Sequence, residues 1–378
     1  MSSIRQDRTA STHTVSTHPV QIRTAAVPTS LADDDAWALH AVAALERTVQ
    51  DRTWGHHDLA YEALESLVKL RDERYTHRRQ LVAVTADRPR DVLGAAVLRL
   101  PERGNTHLVE VDVLVHPGHD GCGIDDALLA AALDVARERG RRTVILSSEH
   151  PGEPAVHDPA ALTPPTGSGR VSRTDPGAAL AIRAGFRLEQ AERHSVLPLP
   201  AAPEALARLR NSAPDGDYRA ITWIDRCPEQ WVEEFARLET RMSIDAPNAG
   251  LELVEDPWDA PRIRAAEASI VESGRGCLVT AVEHVPTRTL AGFTMVEYPH
   301  ESPEVVFQQD TLVVREHRGW RLGLLAKAVN LEHLARLRPH AKRLHTWNAA
   351  ENSPMLAINV ALGFVPTGVY GMWQRHLG

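Results

Sequence analysis

Lysine is almost missing from this chain: its 42 basic residues include only Lys69, Lys327 and Lys342, and the rest are arginine. Acidic residues number 50, so the net charge is −8 and a nucleic-acid partner would gain nothing from bulk charge. Cysteine is equally sparse. Cys122, Cys227 and Cys277 are odd in number, widely spaced and without a CxxC pair, which excludes a disulfide framework and a cysteine zinc site. The 19 histidines, His56 and His57 among them, show no HExxH or other ligand spacing, so no metal is expected. No apolar run approaches the roughly 18 residues of a membrane span, and residues 1–19, rich in Ser, Thr and His, hold no apolar block of the signal-peptide kind. A mobile tail and a cytoplasmic protein, with no membrane partner, are the expectation.

What is present describes an ordinary folded protein, with 43% hydrophobic and 24% charged residues. At 378 residues the chain exceeds one compact core and predicts two domains. "VQIRTAAV" reads as a strand and is followed by two helical stretches. "QLVAVTAD", "DVLGAAVLRLP" and "THLVEVDVLVHP" then read as successive antiparallel strands, separated by the turn-prone "RPRD" and "ERGN". From Gly121 the period changes to that of a helix. A strand, a long Pro- and Gly-rich loop, a short helix over 176–184 and a final strand complete the half. The second half repeats the order, from "YRAITWID" to "GFVPTGVYGMWQRH".

The repeat has a register. Asp112, Leu114, Val115, His119 and Gly121 match Asp310, Leu312, Val313, His317 and Gly319, since 310 minus 112 and 319 minus 121 both give 198. Gly185 and Phe186 match Gly363 and Phe364, where 363 minus 185 gives 178, and the difference is about the size of the Pro-rich insertion. The reading is an α+β chain of two duplicated domains, each a mixed, mostly antiparallel sheet flanked by helices. Their expected bounds are 20–200 and 217–378, joined by a linker at 201–216.

"HRGWRLGLLAK" in the second half starts a helix directly after a strand. Such a start aims unpaired backbone N–H groups and the positive end of the helix dipole at whatever lies ahead, which suits an anion. Gly319 and Gly323 would let a phosphate approach, and Arg318 and Arg321 would add charge. The spacing is not that of a nucleotide P-loop, and an antiparallel series is not a dinucleotide fold.

With these motifs the chain resembles the GCN5-related N-acetyltransferase (GNAT) superfamily, specifically its tandem members. "RGWRLG" resembles the family's Q/R-x-x-G-x-G/A motif at Arg318 and Gly323, with Arg321 at the central glycine. "NSPMLAINVALGF" resembles its second signature, with Asn352 eleven residues before Gly363. The resemblance implies acetyl-CoA as acyl donor, held by Leu312, Val313, Arg318, Gly319, Trp320, Arg321, Leu322, Gly323 and Asn352. In the first half Asp120 and Asp125 take the motif positions, so two carboxylates would face the diphosphate and that half is expected to have lost the cofactor.

Acetyl transfer to an amine needs a base, a polarised carbonyl and a proton for the thiolate. Asp310 and Glu297 are the candidate bases. Many family members carry a Tyr as general acid four residues before Gly-Phe; here that position is Asn359, which leaves Tyr370 on the last strand as the candidate. Asp245, Glu252 and Glu255, in the acidic loop between the early helices of the second half, are candidates for holding a cationic acceptor. The expected activity is N-acetyl transfer to a small-molecule amine, with a natural product, an antibiotic or a thiol sugar among the acceptors, and chemistry in the second domain. The competing class is a non-catalytic acyl-CoA-binding or regulatory protein.

Overall fold

The computed structural model describes residues 19–213 and 216–378; the expected tail, apart from residue 19, and two positions of the expected linker lie outside them. The first half runs β1 (Val20–Thr24), α1 (Trp37–Trp54), α2 (Ala63–Arg71), β2 (Thr76–Thr85), β3 (Gly94–Pro101), β4 (Leu108–Val115), α3 (Ile124–Glu138) and β5 (Thr143–His150). The short pair β6 (Ala161–Leu162) and β7 (Val171–Ser172) lies in the Pro-rich insertion, before α4 (Pro176–Arg183) and β8 (Arg187–Pro198). After a connecting helix, α5 (Pro203–Arg210), the order repeats as β9 (Tyr218–Ile224), α6 (Val232–Asp245), α7 (Ala260–Glu272), β10 (Arg275–His284), β11 (Thr289–Pro299) and β12 (Val305–Val313). It ends with α8 (Leu322–Leu337), β13 (Arg343–Ala349), α9 (Ser353–Leu362) and β14 (Val365–His376). Among the described residues no helix is long and apolar enough to cross a membrane.

The two sets of strands form one twelve-stranded sheet in the order β1-β2-β3-β4-β5-β14-β8-β13-β12-β11-β10-β9. Within each half the first strands are antiparallel, and the fourth and fifth, β4 with β5 and β12 with β13, are parallel across their helical crossovers. The last strands are exchanged. β14 pairs with β5 of the first half, Tyr370 opposite Glu149, and β8 pairs with β13 of the second half, Trp347 opposite His194. Each half therefore completes the other's sheet.

The period-2 pattern of the strands buries both faces. In the first half α1 covers one face, with Val42 and Leu45 on Val82 and Ala95, and α3 and α4 cover the other, with Leu128 and Leu180 near Leu98 and Val111. In the second half Phe235 and Leu238 of α6 lie on Phe293 and Leu312, while Leu331 and Leu334 of α8 lie on Val296 and Val306.

The seam between the halves is polar and closed by hydrogen bonds. Asp58, on the loop after α1, pairs with Arg343 at 2.5 Å and with His345 Nε2 at 3.1 Å. His345 Nδ1 is 3.1 Å from His194 Nε2, and Thr367 Oγ1 is 3.0 Å from His194 Nδ1. Burial pushes His194 down to about 3, helped by the neighbouring His345 and His56, so its ring is neutral and bridges rather than repels. Burial works to raise the Asp58 carboxyl, but the bonds from His345 and Arg343 outweigh it and hold it well below the usual range.

Candidate active site

Two wedges open in the sheet. β12 and β13 pair only from Val305, opposite Arg343, to Phe307, opposite His345; β4 and β5 pair only from Leu108 to Val111. Beyond these points the parallel strands part, exposing backbone groups of β12 or β4 beside the start of the following helix. β12 also carries a bulge: Thr294 faces Thr311 and Val296 faces Gln308, so Gln309 and Asp310 lie opposite Met295 alone. A bulge re-aims side chains, a common device beside reactive sites. β4 pairs with β3 without such a shift.

At the helix start of the second wedge the sequence reading holds in outline and changes in detail. Arg321 is the residue before α8 and adopts φ 59°, ψ 21°, the left-handed region, with Gly319 at φ 89°. The matching residue before α3 is Gly123, at φ 73°. Arg318 does not reach ahead of the helix: its Nη2 donates to Asp245 at 2.9 Å and its Nε to the Val313 carbonyl at 2.9 Å. A Cβ at Gly323 would sit 3.0 Å from the terminal methyl of Ile358 of α9, so the position is closely packed. Trp320 is 53% exposed on the loop, whereas Leu322 is buried. The Asn352 side chain accepts the Met355 N–H and caps α9. In the first half, Gly121 and Gly123 are open, with nothing within 4 Å of an added Cβ. Asp125 and Asp126 are bridged there by Arg183 at 2.9 and 3.3 Å, so these carboxylates are partly neutralised.

Asp310 is half-buried on the β12 bulge, and burial pushes its carboxyl up to about 6. Glu239 of α6 is 9% exposed; burial and then the nearby Asp310 charge drive it well above the usual range, against the pull of Arg262. Neither carboxylate has a hydrogen-bond or ion-pair partner among the described residues. Glu297 on β11 joins them: burial raises it, Arg275 and Lys69 lower it, and Glu65 and Asp310 raise it, with a net upward shift. Asp310 and Glu297, the two candidate bases, thus lie on the neighbouring strands β12 and β11, near enough for the Asp310 charge to raise Glu297. Glu239 went unnoticed in the sequence, although it falls in the buried rhythm of α6 between Leu238 and Met242.

Tyr370 does not join them. β14 is separated from β12 by β8 and β13, three strand spacings or about 14 Å. The ring stacks on Trp54 at 5.9 Å, and burial with Glu149 nearby keeps its hydroxyl well above its ordinary value. The acidic loop is also dispersed. Asp245 is taken by Arg318 and Arg241, Glu255 is exposed, and Glu252 accepts the Thr143 hydroxyl at 2.5 Å, bracing the first half.

Behind the second wedge lies a buried polar chain. Lys327 Nζ donates to Asn359 Oδ1 at 3.0 Å, and Asn359 Nδ2 donates to Asn348 Oδ1 at 2.6 Å, on the stretch of β13 that has parted from β12. Burial pushes the lysine down to about 7. Among the described residues no group of three or more His, Cys, Asp or Glu side chains is placed to hold a metal ion.

Comparison with known proteins follows the same lines. The model of the Acetyltransferase (GNAT) family matches residues 40–158, which lie in the first half. Among solved structures, the chain is similar to a tandem GNAT protein from the clavulanic acid biosynthesis pathway, with 28% identity and a TM-score of 0.72 over 95% of this chain and 99% of that one. A GCN5-related N-acetyltransferase from Sphaerobacter thermophilus shares the fold at 14% identity and a TM-score of 0.59, over 94% of this chain and 95% of that one. So does the GCN5-related glucosamine N-acetyltransferase region of a fungal multi-domain GH3 β-N-acetylglucosaminidase, at 13% identity and 0.59, over 96% of this chain and 38% of that one. No curated protein matches the chain.

Proposed function

The chain is a tandem member of the GCN5-related N-acetyltransferase superfamily, and we propose that it transfers the acetyl group of acetyl-CoA to an amine of a small molecule in the cytoplasm, with chemistry in its second half. The observation that carries this reading is the coincidence, in that half, of a parted β12–β13 wedge, a bulge in β12 and an unpartnered Asp310 on the bulge.

The residues fit an acyl-CoA. Backbone N–H groups at the start of α8 have no partner within the helix and suit a diphosphate, Arg321 stands beside them, and the parted edge of β12 near Leu312 and Val313, where Arg318 already holds the Val313 carbonyl, leaves main-chain N–H to a pantetheine arm. The bound donor supplies the activated thioester. Asp310, poised by burial near neutrality, takes the proton of the acceptor amine. Glu297 lies close enough to modulate it. Asn359 has no acidic proton, and Tyr370 is about three strands away, so Lys327, buried and bonded to Asn359 behind the wedge, is the candidate proton donor.

A second reading has its own observation. The family model covers the first half, where Gly121 and Gly123 leave the helix start open. Calorimetric titration with acetyl-CoA separates the two through matched variants, since 320 minus 122 gives the repeat spacing of 198. One site per chain, lost in Trp320→Asp and kept in Cys122→Asp, together with CoA release on adding amines, supports the second half. Loss in Cys122→Asp alone moves the donor to the first half. Binding without turnover across an amine panel supports a non-catalytic acyl-CoA-binding protein, and absence of binding overturns all of these.

A further inference from the structure

The Pro-rich insertion of the first half has no counterpart in the second, and it is folded rather than loose. Leu162 of β6 pairs with Val171 of β7, the Arg173 N–H donates to the Ala160 carbonyl at 2.9 Å, and Val171 is fully buried in the core that α4 covers. Between this hairpin, α4 and the sheet lies an open cavity of about 470 Å³. That volume falls within the range of small-molecule sites, roughly 300–1,000 Å³.

Its walls are apolar and its charge is of one sign. Leu162 and Pro165 of the insertion, Ile182 of α4 and Leu188 of β8 supply the walls, and Trp373 of β14 lies beneath them. The indole Nε1 donates to the Ser148 hydroxyl at 2.8 Å, so the polar edge of Trp373 is already satisfied inside the protein. Arg173 and Arg187 also line the cavity, and no acidic residue does. Both arginines are exposed: Arg187 stands 3.7 Å from Glu189, beyond hydrogen-bond range, and Arg173 has no side-chain partner among the described residues. Arg183, next to Ile182, reaches the other way, to Asp125 and Asp126 of α3. The cavity therefore lies on the flank of α4 turned away from the helix start where a diphosphate would sit.

The duplication supplies an internal control. Ile182, Arg187 and Leu188 correspond to Val360, Val365 and Pro366, and Ser195 to Trp373, since 360 minus 182, 365 minus 187 and 373 minus 195 all give 178. Strand register agrees, because Leu188 pairs with Trp373 where Pro366 pairs with Ser195. At this place the second half has neither hairpin, arginine nor indole, and Val360 and Val365 are simply exposed. The hairpin, the cations and the aromatic floor thus occur together in one copy only. Guanidinium forks match the two oxygens of a carboxylate, and the walls match an apolar body.

We propose that this cavity is a binding site for an amphipathic carboxylate, its apolar body against Ile182, Leu188 and Trp373 and its charged end held by Arg173 and Arg187. The site is separate from both wedges, so it does not depend on which half carries out acyl transfer.

The test follows binding of octanoate to the full chain by calorimetry, with octylamine as the probe of opposite charge and acetate as the charged end without the chain. The expected result is one octanoate site per chain and no binding of the other two. Ile182→Asp, and separately the pair Arg173→Glu with Arg187→Glu, should each weaken octanoate by roughly tenfold or more. These side chains are exposed, so the variants should melt near the wild-type temperature, and saturating acetyl-CoA should leave octanoate affinity unchanged. Absence of octanoate binding, equal binding of octylamine, or unchanged affinity in either variant overturns the proposal. Displacement of octanoate by acetyl-CoA does so too, since it would place the probe in a donor site.

Discussion

Asp112 and Asp310 descend from one position in a duplicated ancestor, and the chain now treats them oppositely. Burial works to raise Asp112, but the Arg99 charge and the Ser147 hydroxyl outweigh it and leave the carboxyl below its ordinary value, whereas Asp310 is pushed up to about 6 with nothing to hold its charge. The same contrast recurs behind the wedges. Lys327 and Asn359 of the second half match Leu129 and Ala181 of the first, since 327 minus 129 gives 198 and 359 minus 181 gives 178. At these positions one copy has paired its aspartate or replaced the polar groups with apolar ones, and the other keeps Asp310 without a partner and Lys327 buried. Because β8 and β14 are exchanged, each copy directly supports the other.

The sharpest way to break this comparison is to neutralise both aspartates in turn. If Asp310 is the base, Asp310→Asn lowers kcat by roughly 10²–10⁴-fold. Asp112→Asn leaves turnover near wild type and costs about 1 kcal/mol, as expected for a partly exposed pair. Steady-state CoA release with an accepted amine gives the first number and chemical denaturation the second; equal losses of turnover in both variants would erase the distinction between the halves.

The seam is tested next. Asp58→Ala removes the partner of Arg343 and His345 and should cost about 3 kcal/mol. The folded-state carboxyl lies below its unfolded value of 3.8, so its contribution is present above that value and lost as the pH falls through the folded one. The deficit of the variant should therefore shrink in acid. Denaturation of the wild type should remain one transition by fluorescence and circular dichroism, because strand exchange prevents either half from melting with its sheet intact. Two separated transitions would show that the halves are independent.

Lys327 offers a pH signature of similar or smaller size. Its folded value is pushed down from 10.5 to about 7, so between these values the unfolded chain binds a proton that the folded chain does not, and stability rises with pH across that window. The gain should be roughly 2 kcal/mol from about pH 7 to 9. Transplanting the first-half residues, Lys327→Leu with Asn359→Ala, should flatten the rise. A slope that survives the double variant would assign it to another group.

The duplicated architecture was legible because matched residues recur at a constant spacing and local hydrophobic period follows the elements. The exchange of the last strands was not. β8 and β14 are both twelve residues long, and their alternation fixes which face is buried without naming the neighbouring strand. This is why Tyr370, sought near Asp310, lies beside β5. Glu252 was misleading for a related reason: an acidic loop reads as an acceptor site until the other half supplies Thr143 as its partner. Glu239 was hidden among the charges of α6, and only its match to the buried Glu46 marks it out. The close packing of Ile358 against Gly323 was likewise not legible in the sequence.

The smallest expected effect concerns the two helix starts, where the same left-handed turn is made with glycine in one half and arginine in the other. Gly123 adopts φ 73° without a steric penalty, while Arg321 at φ 59° brings its Cβ close to the backbone, a strain of about 1 kcal/mol. Arg321→Gly relieves that strain but loosens the unfolded chain, so the net gain should be only a few tenths of a kcal/mol. Gly123→Arg should cost about 1 kcal/mol, since it adds the strain without a ligand to offset it. If Arg321 contributes to holding the diphosphate, Arg321→Gly will also weaken acetyl-CoA binding, while Gly123→Arg will leave it unchanged. Strain kept at one helix start and absent from its duplicate would then be tied to cofactor binding, and a stabilised Arg321→Gly variant with unaltered affinity would reduce Arg321 to drift.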